Sequence, residues 1–288
     1  MSFERYLQRV RVCRTLDVAA FVPWAVGGEV VGRIHRERID ALLAPPTPFR
    51  RAGDRIVLDG LDAEVRSAAL AQVAARFAAA GLARPPLGGL YPVAARPDGP
   101  TLLRIDRSVV TWFGVPARGV HLNGYRRTAA GPEMWVARRA RGKRTYPGHL
   151  DNLVAGGQSI DLDAMTTLHK ECQEEAGIGA ALAARAVAVG SIRYAFQEGR
   201  DCKADTLACF DLELPADFAP VPVDGEVESF AAWSWHQVAT SLAGDDVWKP
   251  NCALVALHFL LRHGALDHQL SLAQRTALWR ELLGEASA

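Results

Sequence analysis

Apolar positions recur with two different periods along this chain, and the switch between them divides it. Val65, Ala69, Val73 and Phe77 fall four residues apart in an Ala-rich stretch, with Asp62 placed to cap its start and Gly81 to end it, so a helix is expected there. Pro45-Pro46-Thr47-Pro48 before it, and Pro85-Pro86 and Gly88-Gly89 after it, mark loops. From Arg118 the period shortens to two. Val120, Leu122 and Gly124 alternate with polar residues, and a second short strand is expected over Glu133–Ala137. The Gly-, Pro-, Asn- and Asp-rich stretch 142–158 reads as a loop. A helix over Asp163–Ala176 follows, closed by Gly177. Strand-like runs recur at 186–192, 206–212 and 229–235, and helices near 251–263 and 271–284 finish the chain. Strands around one central helix, then more helices, predict a layered α/β (α+β) domain over 111–288, preceded by a smaller mixed α+β N-terminal domain over 1–110.

Composition narrows the functional classes. A net charge of +1 over 288 residues provides no global field for nucleic acid or an anionic membrane. No apolar run approaches the ~18–20 residues of a membrane helix. The first residues, MSFERYLQRVRVCRTLD, carry charge throughout and lack the apolar core of a secretory signal. Cys13, Cys172, Cys202, Cys209 and Cys252 are scattered, odd in number and form no C-x-x-C pair, which argues for reduced thiols and against structural zinc. The expectation is a cytoplasmic protein whose partner is a small molecule. The histidines, among them His121, His258 and His263, show no metal-ligand spacing.

The chemistry concentrates on the central helix. Glu171, Glu174 and Glu175 stand at i, i+3 and i+4 and so share one helical face, beside an apolar stripe of Met165, Leu168 and Cys172. Three carboxylates repel one another, and two of them lie near the helix C-terminus, where negative charge costs ~0.3–1 kcal/mol each. A divalent cation with hard oxygen ligands, Mg²⁺ or Mn²⁺, would reverse both penalties. On its own, such a face is more often plain solvated surface.

The surrounding residues change that balance. Gly156 to Ile178 resembles the Nudix box, G-x5-E-x7-R-E-U-x-E-E-x-G-U with U a bulky aliphatic residue: Gly156, Glu171, Glu174, Glu175, Gly177 and Ile178 match. Lys170 stands in place of Arg, Cys172 in place of the first U, and Leu162 in place of the upstream Glu. Lys for Arg loses a bidentate fork but keeps an ionic contact. The flanking segments Gly119–Tyr125, Trp135–Arg139, Tyr146-Pro147-Gly148, Leu150-Asp151-Asn152, Asp224–Phe230 and Arg262-His263-Gly264 are similar to the thiamin-pyrophosphokinase-like Nudix branch, whose members carry an N-terminal domain of unknown function; Phe3–Val93 resembles that domain more weakly. No P-loop is present, so the kinase in the branch name has no counterpart here.

The resemblance implies a metal-dependent diphosphatase acting on a small organic diphosphate, thiamin diphosphate or its oxidised analogues. Mg²⁺ or Mn²⁺ would be held by Glu171, Glu174 and Glu175 with a backbone carbonyl near Gly156. A fourth carboxylate, Glu226 or Glu228, is expected as ligand or general base; in an extended segment both would point the same way. Arg139 and Lys143 are candidate phosphate ligands. Trp112, Phe113 and Tyr146 are candidates for the organic ring. Alternatives are hydrolysis of ADP-ribose or a nucleoside diphosphate sugar, and a catalytically silent Nudix module that senses a ligand. Isopentenyl diphosphate isomerase shares K-x-x-x-P-G and an Asn like Asn152, but needs a cysteine soon after the Asn, where Leu153, Val154 and Ala155 stand.

Overall fold

In the computed structural model, residues 2–96, 99–245 and 247–284 are described. The chain opens with α1 (Ser2–Val12) and a sheet of β1 (Phe21–Val26), β2 (Glu29–His35), β3 (Phe49–Ala52) and β4 (Arg55–Leu58), ordered β2-β1-β4-β3, with the short α2 (Ile39–Leu43) between β2 and β3. Helix α3 (Ala63–Ala79) starts at the expected cap, where the Asp62 carboxylate accepts from Val65 N at 2.9 Å. The hairpin β5 (Leu90–Val93) and β6 (Leu103–Asp106) follows, and α3 packs on β6. Trp24, Ile34, Ile56, Leu70, Phe77, Ile105 and Phe113 form one core for this half.

The larger half is a seven-stranded mixed sheet. Strands β7 (Ala117–Thr128), β8 (Gly131–Arg139), β9 (Leu150–Asp151) and β10 (Val154–Gly157) precede α4 (Ala164–Ala176) and α5 (Ala180–Ala183). Then come β11 (Val187–Glu198), β12 (Asp201–Glu213), β13 (Val227–Ser234), α6 (Trp235–Ala243), α7 (Pro250–Arg262) and α8 (Leu272–Leu283). The order is β11-β12-β7-β8-β13, with β10 on β7 and β9 on β8; β7 and β12 run parallel. Side chains alternate across the sheet. Val120, Leu122, Phe210 and Leu212 meet Leu168, Cys172 and Ala176 of α4. On the opposite face, Leu207 and Cys209 join the core formed with α6, α7 and α8. The expected α/β layering is therefore present.

Local differences have local causes. Two short strands, β9 and β10, lie inside the expected loop 142–158, because Val154–Gly157 pairs with Gly119–Leu122. Residue 235 begins α6 instead of ending a strand: Ser234 and Gln237 form a capping box. Helix α1 contributes Tyr6, Leu7 and Val10 to the core of the C-terminal helices, joined there by Cys13 just beyond its end, and the Tyr6 hydroxyl donates to Ala239 O at 3.1 Å.

Candidate active site

Helix α4 carries the acidic residues, and its ends are formed as its sequence predicts. Asp163 accepts from Thr166 N at 2.6 Å, and Gly177 takes φ 65°, a left-handed conformation glycine enters without a Cβ penalty, while its N–H bonds Cys172 O. Leu168, Cys172 and Glu175, at i, i+4 and i+7, form the buried stripe. The three glutamates are therefore unequal. Glu174 is half exposed and pairs with Lys170, Glu171 is largely covered, and Glu175 is only 6% exposed.

Burial pushes the Glu175 carboxyl up to about 8, against the pull of the Ala155 N–H that donates to it at 2.9 Å. Burial also raises Glu171, opposed by Lys170 and reinforced by the negative charges of Glu174, Glu226 and Asp224. Both glutamates thus stand where an ionised carboxylate costs free energy unless a cation is supplied. Gly156 explains how Glu171 fits: a Cβ on residue 156 would lie 2.3 Å from Glu171 Cδ, so the carboxylate rests directly on the β10 backbone. That cradle, with an acidic set only partly balanced by Lys170, fits a hard divalent cation.

The loop before β13 separates the two candidates for the fourth carboxylate. Glu226 precedes the strand, pairs with Lys143 and acts on Glu171. Burial would raise Glu226, but its hydrogen bond with Lys143 leaves it lowered. Glu228 sits at a register shift between Val227 and Ser229 and pairs with Arg141 at 3.7 Å. Because the register shifts at Glu228, strand alternation does not relate the two side chains. Asp224, unremarked in the sequence, accepts from Glu226 N at 2.8 Å and is the second loop carboxylate acting on Glu171.

Three expectations are corrected by packing. Arg139 is buried: Nη1 donates to Asp151 Oδ2 at 2.8 Å, while Nε and Nη2 donate to Thr145 O. Its fork is occupied internally, so it is no free phosphate ligand. Trp112 and Phe113 belong to the N-terminal core, where Trp112 stacks near Phe77 and donates to Leu82 O at 3.0 Å, and Phe113 O accepts from Trp24 Nε1 at 2.7 Å. Neither faces the acidic cluster. Beside them, polar groups link the two halves: Arg38 with Asp201 at 2.7 Å, and Thr111 with Asp201 at 3.0 Å. Tyr146, at φ 52°, lies edge-on to His149 with ring centres 5.4 Å apart, and burial, reinforced by the negative charge of Glu198, pushes its hydroxyl up to about 12.

A second polar cluster joins β7, β9 and α7. Among the described residues, His121, Asp151 and Cys252 are the group of His, Cys, Asp or Glu whose possible ligand atoms all lie within 4.8 Å of one another; the α4 glutamates stand further apart, as mutually repelling groups do. Cys252 Sγ donates to Asp151 Oδ1 at 2.6 Å, and His121 Nδ1 is 2.8 Å from Asn152 Oδ1. Burial would raise Asp151, but Lys249 and Arg139 hold it at about 2. Burial first, then Lys249, push His121 down to about 4. These donors and acceptors satisfy one another, with two cations already on the single carboxylate, so no charge remains for a metal to neutralise.

The N-terminal half reaches the glycine strand. The Tyr91 hydroxyl occupies the space a Cβ on residue 157 would need, 2.0 Å from it, and Leu90 O accepts from Ile160 N at 3.2 Å. Tyr91 and its neighbour Arg107 were absent from the candidates read in the sequence; their proximity to α4 depends on folding across some seventy residues.

Comparison with known proteins fits this geometry. The chain belongs to the Nudix hydrolase family, whose members hydrolyse pyrophosphate bonds, and it is such a hydrolase. Nudix hydrolase 20, chloroplastic, of Arabidopsis thaliana is 36% identical over 279 residues, covering 92% of this chain and 75% of that protein. Nudix hydrolase 24, chloroplastic, of the same plant is 35% identical over 267 residues, covering 91% and 73%. Residues 5–117 match the family described as Domain of unknown function (DUF4743). A solved protein of Deinococcus radiodurans, DR0079, aligns over 58% of this chain and 95% of its own at 17% identity and a TM-score of 0.43. The cytoplasmic expectation is corrected, since both plant relatives are chloroplastic. Charge and reduced thiols do not distinguish one reducing compartment from another.

Proposed function

We propose that this chain is a divalent-metal-dependent diphosphatase that converts a small organic diphosphate to its monophosphate and inorganic phosphate. The observation that carries the reading is Glu171 seated on the Gly156 backbone, with Glu174, Glu226 and Asp224 acting on its charge and Glu175 buried beside it. Glu171, Glu174 and Glu175, with the carbonyl of Gly156, would hold Mg²⁺ or Mn²⁺. A bound cation supplies charge neutralisation for the phosphates and acidifies a water.

The chain's own groups do the rest. Glu226 accepts a proton from the attacking water, and its pairing with Lys143 keeps it ionised for that role. Lys143 and Lys170 offer positive charge to the phosphates at the rim of the cluster. The two-domain division near residue 110 is retained in this reading, with α1 docked on the far helices.

Resemblance to the thiamin-pyrophosphokinase-like branch supports oxothiamin, oxythiamin and thiamin diphosphates as substrates. An acidic metal site grips phosphate and discriminates little among organic groups, so selectivity must come from the other end of the pocket. A preference of ~10–100-fold for the oxidised analogues over thiamin diphosphate requires only ~1.4–2.8 kcal/mol. The test compares kcat/KM for these three with ADP-ribose and dNTPs in Mg²⁺, reading the monophosphate and phosphate formed. If ADP-ribose is preferred by an order of magnitude, the thiamin assignment is overturned and the diphosphatase site is not.

A further inference from the structure

Among the described residues the guanidinium of Arg107 has neither a hydrogen bond nor an ion pair, although it stands beside a carboxylate cluster. Its backbone is firmly held. Asp106 accepts from Ser108 N at 2.8 Å, Gly88 N at 3.0 Å and Leu87 N at 3.1 Å, and Arg107 N donates to Gly89 O at 2.8 Å. The same hairpin docks on the larger domain through Tyr91 over Gly157 and Leu90 against Ile160. The docking brings the Arg107 charge close enough to act on both Tyr91 and Glu226, and Glu171 acts on Tyr91 with the opposite sign.

Of the cations on the larger domain, Lys143 pairs with Glu226 and Lys170 with Glu174, so each must share its charge between a glutamate and a phosphate. Arg104, on the same hairpin, pairs with Glu64 at 2.7 Å. Arg107 is an exposed fork on a fixed backbone, within electrostatic reach of Glu226 in the acidic cluster. A planar guanidinium suits phosphate oxygens, which can accept two parallel N–H bonds.

We propose that Arg107 is a diphosphate-binding residue donated to the α4 site by the N-terminal domain, and that the Tyr91–Gly157 contact fixes where it stands. The proposal rests on the reading of α4 as the diphosphatase centre and gives the domain of unknown function a task in it: completing the phosphate site across the domain junction.

The test uses the full chain with Mg²⁺ and imidodiphosphate, a diphosphate analogue that resists hydrolysis, by titration calorimetry. Arg107→Ala raises its Kd roughly 10–100-fold, the range of one lost charge-assisted hydrogen-bond set. Arg107→Lys falls between that and wild type, since one point contact replaces a fork. Arg104→Ala binds as wild type does. Thermal midpoints of all three stay within a few degrees of wild type, because none of these side chains is buried. An unchanged Kd in Arg107→Ala, beside a Glu171→Gln variant that has lost turnover, overturns this inference alone. If Glu171→Gln turns over normally, the reading of α4 falls and this inference with it.

Discussion

Two charged clusters come within electrostatic reach of each other at Glu175, and they are built on opposite principles. Around Asp151, one carboxylate meets Arg139 at 2.8 Å and Lys249 at 3.5 Å, Cys252 and Asn152 complete its bonding, and water is shut out. Burial alone would push Lys249 down, yet Asp151 leaves it raised. On α4, negative groups outnumber their partners: Glu171, Glu174, Asp224 and Glu226 act around Lys170 and Lys143, and Glu175 is buried with one backbone N–H. A satisfied cluster has nothing left to offer a ligand, and its residues hold the fold. An unsatisfied one lowers its free energy by taking up a cation or, without one, a proton. In the proposed reading Asp151 serves structure and α4 serves chemistry, although by ligand-atom convergence alone the Asp151 group would look like the metal site.

The largest effect expected from this contrast is on turnover. Glu171→Gln and Glu174→Gln should each lower kcat/KM by roughly 10²–10⁴ while the thermal midpoint holds or rises, because like-charge repulsion is relieved. Glu226→Gln should fall in the same range and Glu228→Gln within a few-fold of wild type, since Glu226 acts on Glu171 whereas Glu228 pairs with Arg141. Steady-state kinetics beside thermal melts check both. Equal losses at 226 and 228 would break the distinction drawn between them.

Next is stability on the other cluster. Arg139→Ala leaves Asp151 buried with a single cationic partner and removes the donors to Thr145 O. It should destabilise the fold by about 3–5 kcal/mol, the range for breaking a buried ion pair. Urea unfolding measures this, and any activity retained by the folded fraction should have a near-normal KM. A variant of wild-type stability with a strongly raised KM would return Arg139 to the phosphate site.

A smaller effect is the pH dependence of stability. Burial holds both His121 and His258 at about 4, below the ordinary 6.5 of an exposed imidazole. Between those values the unfolded chain binds more protons than the folded one, so these groups make stability fall as pH drops from about 6.5 toward 4. Asp151, held at about 2, adds stability that is present above its unfolded value near 3.8 and lost as pH falls through about 2. Glu175, raised to about 8, has the opposite sign: its contribution is full below its unfolded value near 4.5 and disappears as pH rises through 8. Metal-free Glu175→Gln lacks that opposing group and should therefore show a steeper acid loss between pH 6.5 and 4 than metal-free wild type. Parallel melting curves for the two proteins would contradict this.

Much of the scaffold was legible because its signals are local. Asp163 and Gly177 mark the ends of α4 within its own sequence, as Asp62 does for the start of α3, and the alternation around Val120 and Leu122 is that of a half-buried strand. The acidic set was legible for the same reason. What escaped depends on partners distant in the chain. Arg139 resembles a phosphate ligand until Asp151 and Thr145 close on it, and Trp112 and Phe113 resemble ring-binding side chains until Phe77 and Trp24 enclose them. Glu175 sits at the same helical spacing as its neighbours, and only packing against the sheet shows that it is buried. Tyr91 and Arg107 act through a domain contact that no local pattern encodes.

In the proposed reading the α4 carboxylates bind a divalent cation and the Asp151 cluster does not. Titrating the full chain with Mn²⁺ and following free Mn²⁺ by electron paramagnetic resonance tests it most directly. Binding should be present in wild type, weakened at least tenfold in Glu171→Gln, and unchanged in Cys252→Ser, which alters only the other cluster. Binding that survives Glu171→Gln and disappears in Cys252→Ser would contradict the account and move the metal to His121, Asp151 and Cys252.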